Sequence, residues 1–439
     1  MTHVFGRGKS DLRKAVRGDG CYLIDADGKR YLDGCGGAAV SCLGHSDEEV
    51  RAAISNQLNT LAYAHSGFFT TDAAEELADL LIGHAPSGIE KVYLLAGGSE
   101  AVEAALKLAR QYYVETGQPE RHRVIARRQS YHGNTLGALA TGGNAGRRVK
   151  YAPLLVETSH IAPCFEYRGR SIGESAFDYG QRVANELEAE ILRLGPETVM
   201  AFVAEPVVGA TAGAVPAVEG YFRRIREICD SYGVLLILDE VMCGMGRTGT
   251  FFACEQESIS PDIVTIAKGL GAGYAAIGAM LCSGDIYAAI ESGSGAFEHG
   301  HTYHAHPLSA AAAKSVVGAI LGRDLLPQVR LQGAKLMHAL ENEFGQHPHI
   351  GDIRGRGLFR GMELVEDRES RAPFDPAHTV HSRIKSEAMN QGLMVYPGGG
   401  TVDGHAGDHI LIAPPFRISD AQIGELVVKL SRAVRTVLG

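Results

Sequence analysis

The residues of this chain that could do chemistry sit where apolar runs end. VYLLA (92–96) is followed by Gly97-Gly98-Ser99, and VIA (124–126) by Arg127 and then Ser130-Tyr131-His132-Gly133. VMAFVA (199–204) is followed by Glu205-Pro206, VLLIL (234–238) by Asp239-Glu240, and IVTIA (263–267) by Lys268-Gly269. In open parallel sheets, ligands bind beyond the carboxyl ends of the strands. If these runs are neighbouring strands, one small volume receives an anion cradle, an aromatic ring, two carboxylates and a lysine.

Each group has its own chemistry. Lys268 follows a fully apolar run, so it lies either at the solvated edge of a sheet or inside a cleft. In a cleft, desolvation lowers its pKa and lets it form a Schiff base with an aldehyde. Asp239 closes a run too apolar for its end to be fully solvated. A buried carboxylate needs a partner: a structural cation, a helix N-terminus or a protonated pyridine nitrogen. Gly97-Gly98-Ser99 opens EAVEAALKLARQYY (100–113), which places Ala101, Ala104, Ala105 and Leu108 on one helical face. Bare amides at such an N-terminus attract a phosphate, although the same motif alone is also an ordinary glycine turn capped by Ser99. Taken together, the groups have one explanation. Pyridoxal 5′-phosphate needs a lysine for its aldehyde, an acid for its ring nitrogen and a cup for its phosphate. Tyr131 could supply a stacking face. A dinucleotide fold fits worse, because GLGAGY (269–274) lacks the third glycine at the required spacing.

The positioning elements are legible in the same way. Short apolar runs of strand length alternate with amphipathic stretches, as in GYFRRIREICDSYG (220–233), which predicts a mainly parallel sheet covered by helices. CYLIDADGKRYLDG (21–34) reads as a hairpin turning at Asp27-Gly28. GDIRGRGLFRGMELVED (351–367) reads as strands with glycine bends, and YPGGGTVDGHAGDH (396–409) as a long glycine-rich loop. A last helix over 419–438 starts at a Ser419 cap.

Composition bounds the function. The 439 residues are 45% hydrophobic and 21% charged, which excludes a disordered chain, and 55 glycines signal many tight turns. A net charge of −9 argues against gripping nucleic acid over a broad face. No apolar run reaches the roughly 18 residues of a membrane span. The N-terminal MTHVFGRGKSDLRKAV holds no apolar core of leader length. Eight cysteines without a C-x-x-C pair fit free thiols in a cytoplasmic protein.

The chain resembles the class III pyridoxal-phosphate-dependent aminotransferases, the family of ω-amino-acid, ornithine, 4-aminobutyrate and diaminopelargonate aminotransferases. The resemblance rests on GGSEAVEAALKLAR (97–110), SYHGNT (130–135), AEPV (204–207), LDEVMCGMGRTG (238–249), DIVTIAKGLGAGY (262–274) and HGHTYHAHPLSAAAA (299–313). It implies an α/β fold of type I: a large domain with a mainly parallel seven-stranded sheet, plus a small α+β domain. Residues 61–324 would form the large cofactor domain, with 1–60 and 325–439 forming the small one. It implies a homodimer with shared active sites, acting on an amine and an α-keto acid. In it, Lys268 is the Schiff-base lysine and proton carrier, and Asp239 keeps the pyridine nitrogen protonated. Val241 and Tyr131 flank the ring, Gly98 and Ser99 bind phosphate, Glu205 lies near the ring, and Thr302 reaches the neighbouring subunit's cofactor. A decarboxylase-transaminase or an aminomutase is the alternative, and a non-catalytic cofactor-binding regulator a more distant one.

Departures from relatives bear on substrate. Met242 stands where some relatives have Gln, and Leu411 and Tyr396 stand where some have arginine. The 397–409 loop has no arginine, so Arg417 is the nearby alternative, with surface capping as its other reading. Tyr22, Phe68 and Phe69 are candidates for a substrate wall or for plain packing. His299, His301, His304 and His306 fall in the phosphate-threonine region and are not read as a metal site. Arg127-Arg128 reads as a surface or dimer charge pair.

Overall fold

The computed structural model describes residues 3–6 and 12–439, so part of the N-terminal stretch read for a leader lies outside it. The chain begins with a meander of β1 (Ala15–Asp19), β2 (Tyr22–Asp25) and β3 (Arg30–Asp33). The expected hairpin is there: β2 and β3 pair antiparallel, and Gly28 takes φ +82° in the turn, a conformation glycine adopts without cost.

The central sheet has seven strands: β4 (Ile89–Leu95), β5 (Arg123–Arg127), β6 (Ser159–Ile161), β7 (Val199–Ala204), β10 (Leu235–Asp239), β11 (Ile263–Ile266) and β12 (Gly278–Ser283). Between β7 and β10 the chain makes a short ribbon of β8 (Val207–Val208) and β9 (Val215–Pro216). The spatial order is β4-β12-β11-β10-β7-β5-β6. Six strands run the same way; β12 alone is antiparallel, to both β11 and β4. The five apolar runs are all strands, as expected. β12 and the short β6 escape the sequence reading.

Both faces of this sheet are covered, which is why its strands are apolar without alternation. On β10, Leu236 and Leu238 join one core layer while Leu235 and Ile237 join the other. The helix Tyr221–Tyr232 buries Tyr221, Phe222, Ile225, Ile228 and Cys229, and ends at Gly233 in the left-handed region. The helix Gly98–Glu115 buries its alanine face, with Ala101, Ala104 and Ala105 fully inaccessible.

Register carries the sheet's functional consequence. Leu238 pairs with Ala204 on one side and Val264 on the other. Glu205, Asp239 and Lys268 therefore emerge at the same edge, within one or two residues of their strand ends.

The C-terminal sheet comprises β13 (Ile350–Arg356), β14 (Phe359–Leu364), β16 (Tyr396–Gly399) and β17 (Asp408–Ile412), in the order β13-β14-β17-β16. The stretch read as one long loop is thus strand at both ends, leaving only Gly400–Gly407 as loop. β15 (Leu393–Met394) returns to pair with β3. The last helix, Asp420–Leu438, starts at Ser419 with a reciprocal cap from Gln422. No helix among the described residues is long and apolar enough to cross a membrane.

Candidate active site

A cavity of about 290 Å³ opens at the carboxyl edge of the central sheet. Gly98, Ser99, Tyr131, Glu205, Asp239, Val241 and Lys268 all line it, together with His132, Gly133, Ala210 and Met242. The sheet brings Gly98 there indirectly. β4 is separated from β11 by β12, yet a Cβ on Gly98 would lie 2.7 Å from Val241 Cγ1, so only glycine allows the helix start to approach.

Lys268 occupies an unusual backbone position. Its φ is +42°, in the left-handed region that a long side chain rarely adopts. A short turn holds it: Gly271 and Ala272 N–H both donate to its carbonyl, at 3.1 and 2.9 Å. Strain of this kind persists only where the surroundings over-determine it, and it turns the side chain back over the sheet edge. Burial pushes the Lys268 ammonium below its usual pKa, while Asp239 and Glu205 pull it up. Neither acid forms a salt bridge with it among the described residues.

Asp239 is buried and doubly held. Its Oδ1 accepts the Val241 N–H at 3.0 Å, and its Oδ2 lies 2.8 Å from His132 Nδ1. His132 Nε2 is buried without a hydrogen-bond partner among the described residues. Sequence reasoning passed over His132. Its signal was its place inside SYHGNT, directly beyond the end of β5, where an imidazole has a strand-end carboxylate to orient. Glu205 is buried with Oε1 accepting the Tyr131 N–H at 3.1 Å and Oε2 accepting the Gly209 N–H at 2.9 Å. Burial raises its pKa, against the opposing pull of His132 and those N–H donors.

The anion cradle is formed by the helix Gly98–Glu115, whose first turn has no side-chain cap. Its leading N–H groups are therefore open to a ligand. Ser99 Oγ accepts the Asn134 N–H at 3.0 Å and lies on the same rim.

The lining fits pyridoxal phosphate. A desolvated lysine, an oriented carboxylate and an uncapped helix start meet in one cavity of suitable size, beside a tyrosine ring.

Other expected residues lie elsewhere in this single chain. Thr302 is exposed, and its carbonyl accepts the Tyr63 hydroxyl at 2.9 Å. Phe68 is 80% exposed. The Tyr22 hydroxyl donates to Glu425 at 2.7 Å, and Arg417 is exposed near Cys21. Arg127 corrects the expectation of a surface pair. It is buried, donates to the Glu205 carbonyl and packs over Tyr221 and Phe222, because a strand-end arginine can satisfy carbonyls that its neighbours leave open. Arg128 alone is exposed. Of the four histidines, His301 lies 3.3 Å from Glu100 and His304 packs on Tyr93.

Comparison with known proteins is consistent across sequence and structure. The class III aminotransferase family profile matches residues 5–434. An uncharacterized aminotransferase of Schizosaccharomyces pombe is 46% identical over 96% of this chain and 92% of its own length. An aminotransferase of Gibberella zeae is 45% identical over 95% and 83%. The PLP-bound amine transaminase of an uncultivated Pseudomonas species superposes with a TM-score of 0.93 at 34% identity, covering 100% of this chain and 99% of that one.

Proposed function

This chain belongs to the class III aminotransferases, pyridoxal-phosphate enzymes that move amino groups between small-molecule amines and keto acids, and from that premise we propose which of its residues carry the reaction. Bound in the cavity, the cofactor supplies an aldehyde that exchanges amines and a ring that accepts electrons. Lys268 would hold that aldehyde, and its amino group would be placed to move a proton at the substrate Cα. Burial disfavours the ammonium form, a direction that supports the role of a base. Asp239 would keep a proton on the cofactor's ring nitrogen, and His132 and the Val241 N–H fix that carboxylate in place.

Val241 and Tyr131 would flank the cofactor ring, and the amides of the Gly98 helix start, with Ser99 Oγ, would hold its phosphate. Glu205 would be a second acid near the ring, and Met242 lines the wall where a polar side chain would otherwise meet substrate. An amino donor without a distal carboxylate suits this wall. Residues 61–324 form the cofactor domain and the flanking segments the small domain, a division supported by β15 pairing back to β3. A homodimer would bring Thr302 to the partner's phosphate site, and a reducing cytoplasm suits cysteines that are all buried and free.

The observation that carries the assignment is Lys268 and Asp239 facing one cavity with the lysine unpaired. The test is Lys268→Ala. The variant should bind the cofactor only non-covalently and lose turnover with every amine. Full activity would overturn the mechanism.

A further inference from the structure

An α-keto acid brings a carboxylate, and Lys268 is committed to the cofactor aldehyde and the proton. A second cation is needed at the cavity mouth. Several arginines nearby are already spent or misplaced. Arg127 is turned inward to the Glu205 carbonyl. Arg128 donates to the His160 carbonyl at 3.0 Å, and Arg148 to the Gly142 carbonyl at 3.2 Å. The Gly400–Gly407 loop has no arginine at all.

Arg147 is different. Its guanidinium stands 4.7 Å from the centroid of the Tyr131 ring, and Tyr131 lines the cavity with Lys268. The residue is exposed, and it pairs with no carboxylate among the described residues. A guanidinium stacked on an aromatic face keeps its N–H edge free, the geometry for bidentate capture of a carboxylate.

The segment that carries it is fixed. The Asn144 side chain accepts the Arg147 N–H at 3.3 Å and donates to Gln129 Oε1 at 3.0 Å. Gln129 in turn donates to the Gly400 carbonyl at 3.0 Å. Gly146 lies against Gly404, where a Cβ would come within 2.5 Å of the carbonyl oxygen. Arg147 is thus anchored between the cavity wall and the loop that lacks an arginine. Its charge also reaches inward, for it is among those that disfavour charging the buried His409.

We propose that Arg147 binds the carboxylate of the keto-acid substrate at the cavity mouth, and so sets the preference for carboxylate-bearing acceptors. This rests on the assignment of Lys268 to the cofactor aldehyde.

The test uses the holoenzyme and the variants R147Q and R147K. After loading with a carboxylate-free amine, each is reacted with pyruvate and with an uncharged aldehyde. In R147Q the pyruvate KM should rise about 10- to 100-fold relative to the aldehyde KM, with kcat changing less, as expected for one charge-assisted contact. R147K should recover part of the loss. An unchanged pyruvate-to-aldehyde ratio in R147Q would overturn the proposal. If no amine bleaches the cofactor's visible band in the wild type, it is the Lys268 assignment that fails. NMR titration with propanoate then decides on Arg147 alone: binding at least tenfold weaker in R147Q supports it, and equal binding refutes it.

Discussion

Two buried charge clusters in this molecule look alike in composition and differ in what is left unspent. In the C-terminal sheet, Arg354 donates through Nε to the Gly213 carbonyl at 2.9 Å, through Nη1 to Asp352 at 2.9 Å, and through Nη2 to Glu363 at 2.6 Å and to the Ala212 carbonyl. Glu363 also accepts from Arg168 at 2.9 Å. Every charge there is paired, even though a cavity of about 600 Å³ is lined by Asp352 and Arg354. At the edge of the central sheet, among the described residues, Lys268 has no ion-pair partner and His132 Nε2 no acceptor, and both face a void. Burial and charge alone therefore do not mark a site. Buried polar groups whose bonding capacity is unused, around a space, do.

That contrast can be broken from either side. The largest effect belongs to Lys268→Ala, which should lower kcat by at least about 10⁴-fold, the upper range for removing a positioned acid–base group. Its apo-form unfolding free energy should change by less than about 1 kcal/mol, because the lysine makes no structural bond. Steady-state rates and denaturant titration measure both. Arg354→Met should do the reverse. It leaves Glu363 and Asp352 short of a cation and should cost about 3–5 kcal/mol in denaturant unfolding. The kcat/KM of the protein that remains folded should stay within about threefold.

Asp239→Asn sharpens the comparison within the site. It keeps the volume but removes a charge-assisted bond, and should lower kcat about 100-fold. A rate equal to wild type would show that the carboxylate is structural, like Glu363.

His409 tests whether a buried neutral group behaves as a structural one. Burial pushes its pKa down to about 3, and its Nδ1 lies 2.7 Å from the Thr401 hydroxyl. A histidine with a depressed folded pKa contributes stability fully present above its unfolded value of 6.5 and lost as pH falls toward 3. Between pH 6.5 and 5 the loss should be about 2 kcal/mol. Thermal denaturation across that range should show a shallower slope in His409→Gln. The smallest effect is Ser99→Ala, expected to weaken cofactor binding about fivefold, as for one neutral hydrogen bond.

The sequence by itself determined the strands and their ends. Continuous apolar runs can only be strands buried on both faces or pieces of buried helix, and their length and flanks chose the strand. The residue just beyond each end was therefore readable, and with it Lys268, Asp239, Glu205 and the glycine cradle. The anchoring of Asp239 by His132 was not readable. A contact between residues 107 positions apart depends on which strands are neighbours, and local pattern does not encode that. β12 escaped for a related reason: AMLCS (279–283) is short and flanked by Gly278 and Gly284, so its strand character comes from the partners on either side. Arg127 and Arg147 make the same point together. Each is one charge in a short basic pair, indistinguishable by type and spacing. Only the folded chain turned the first inward onto a carbonyl and set the second over a tyrosine at the cavity mouth, because where a long flexible side chain goes is decided by the bonds its surroundings leave open.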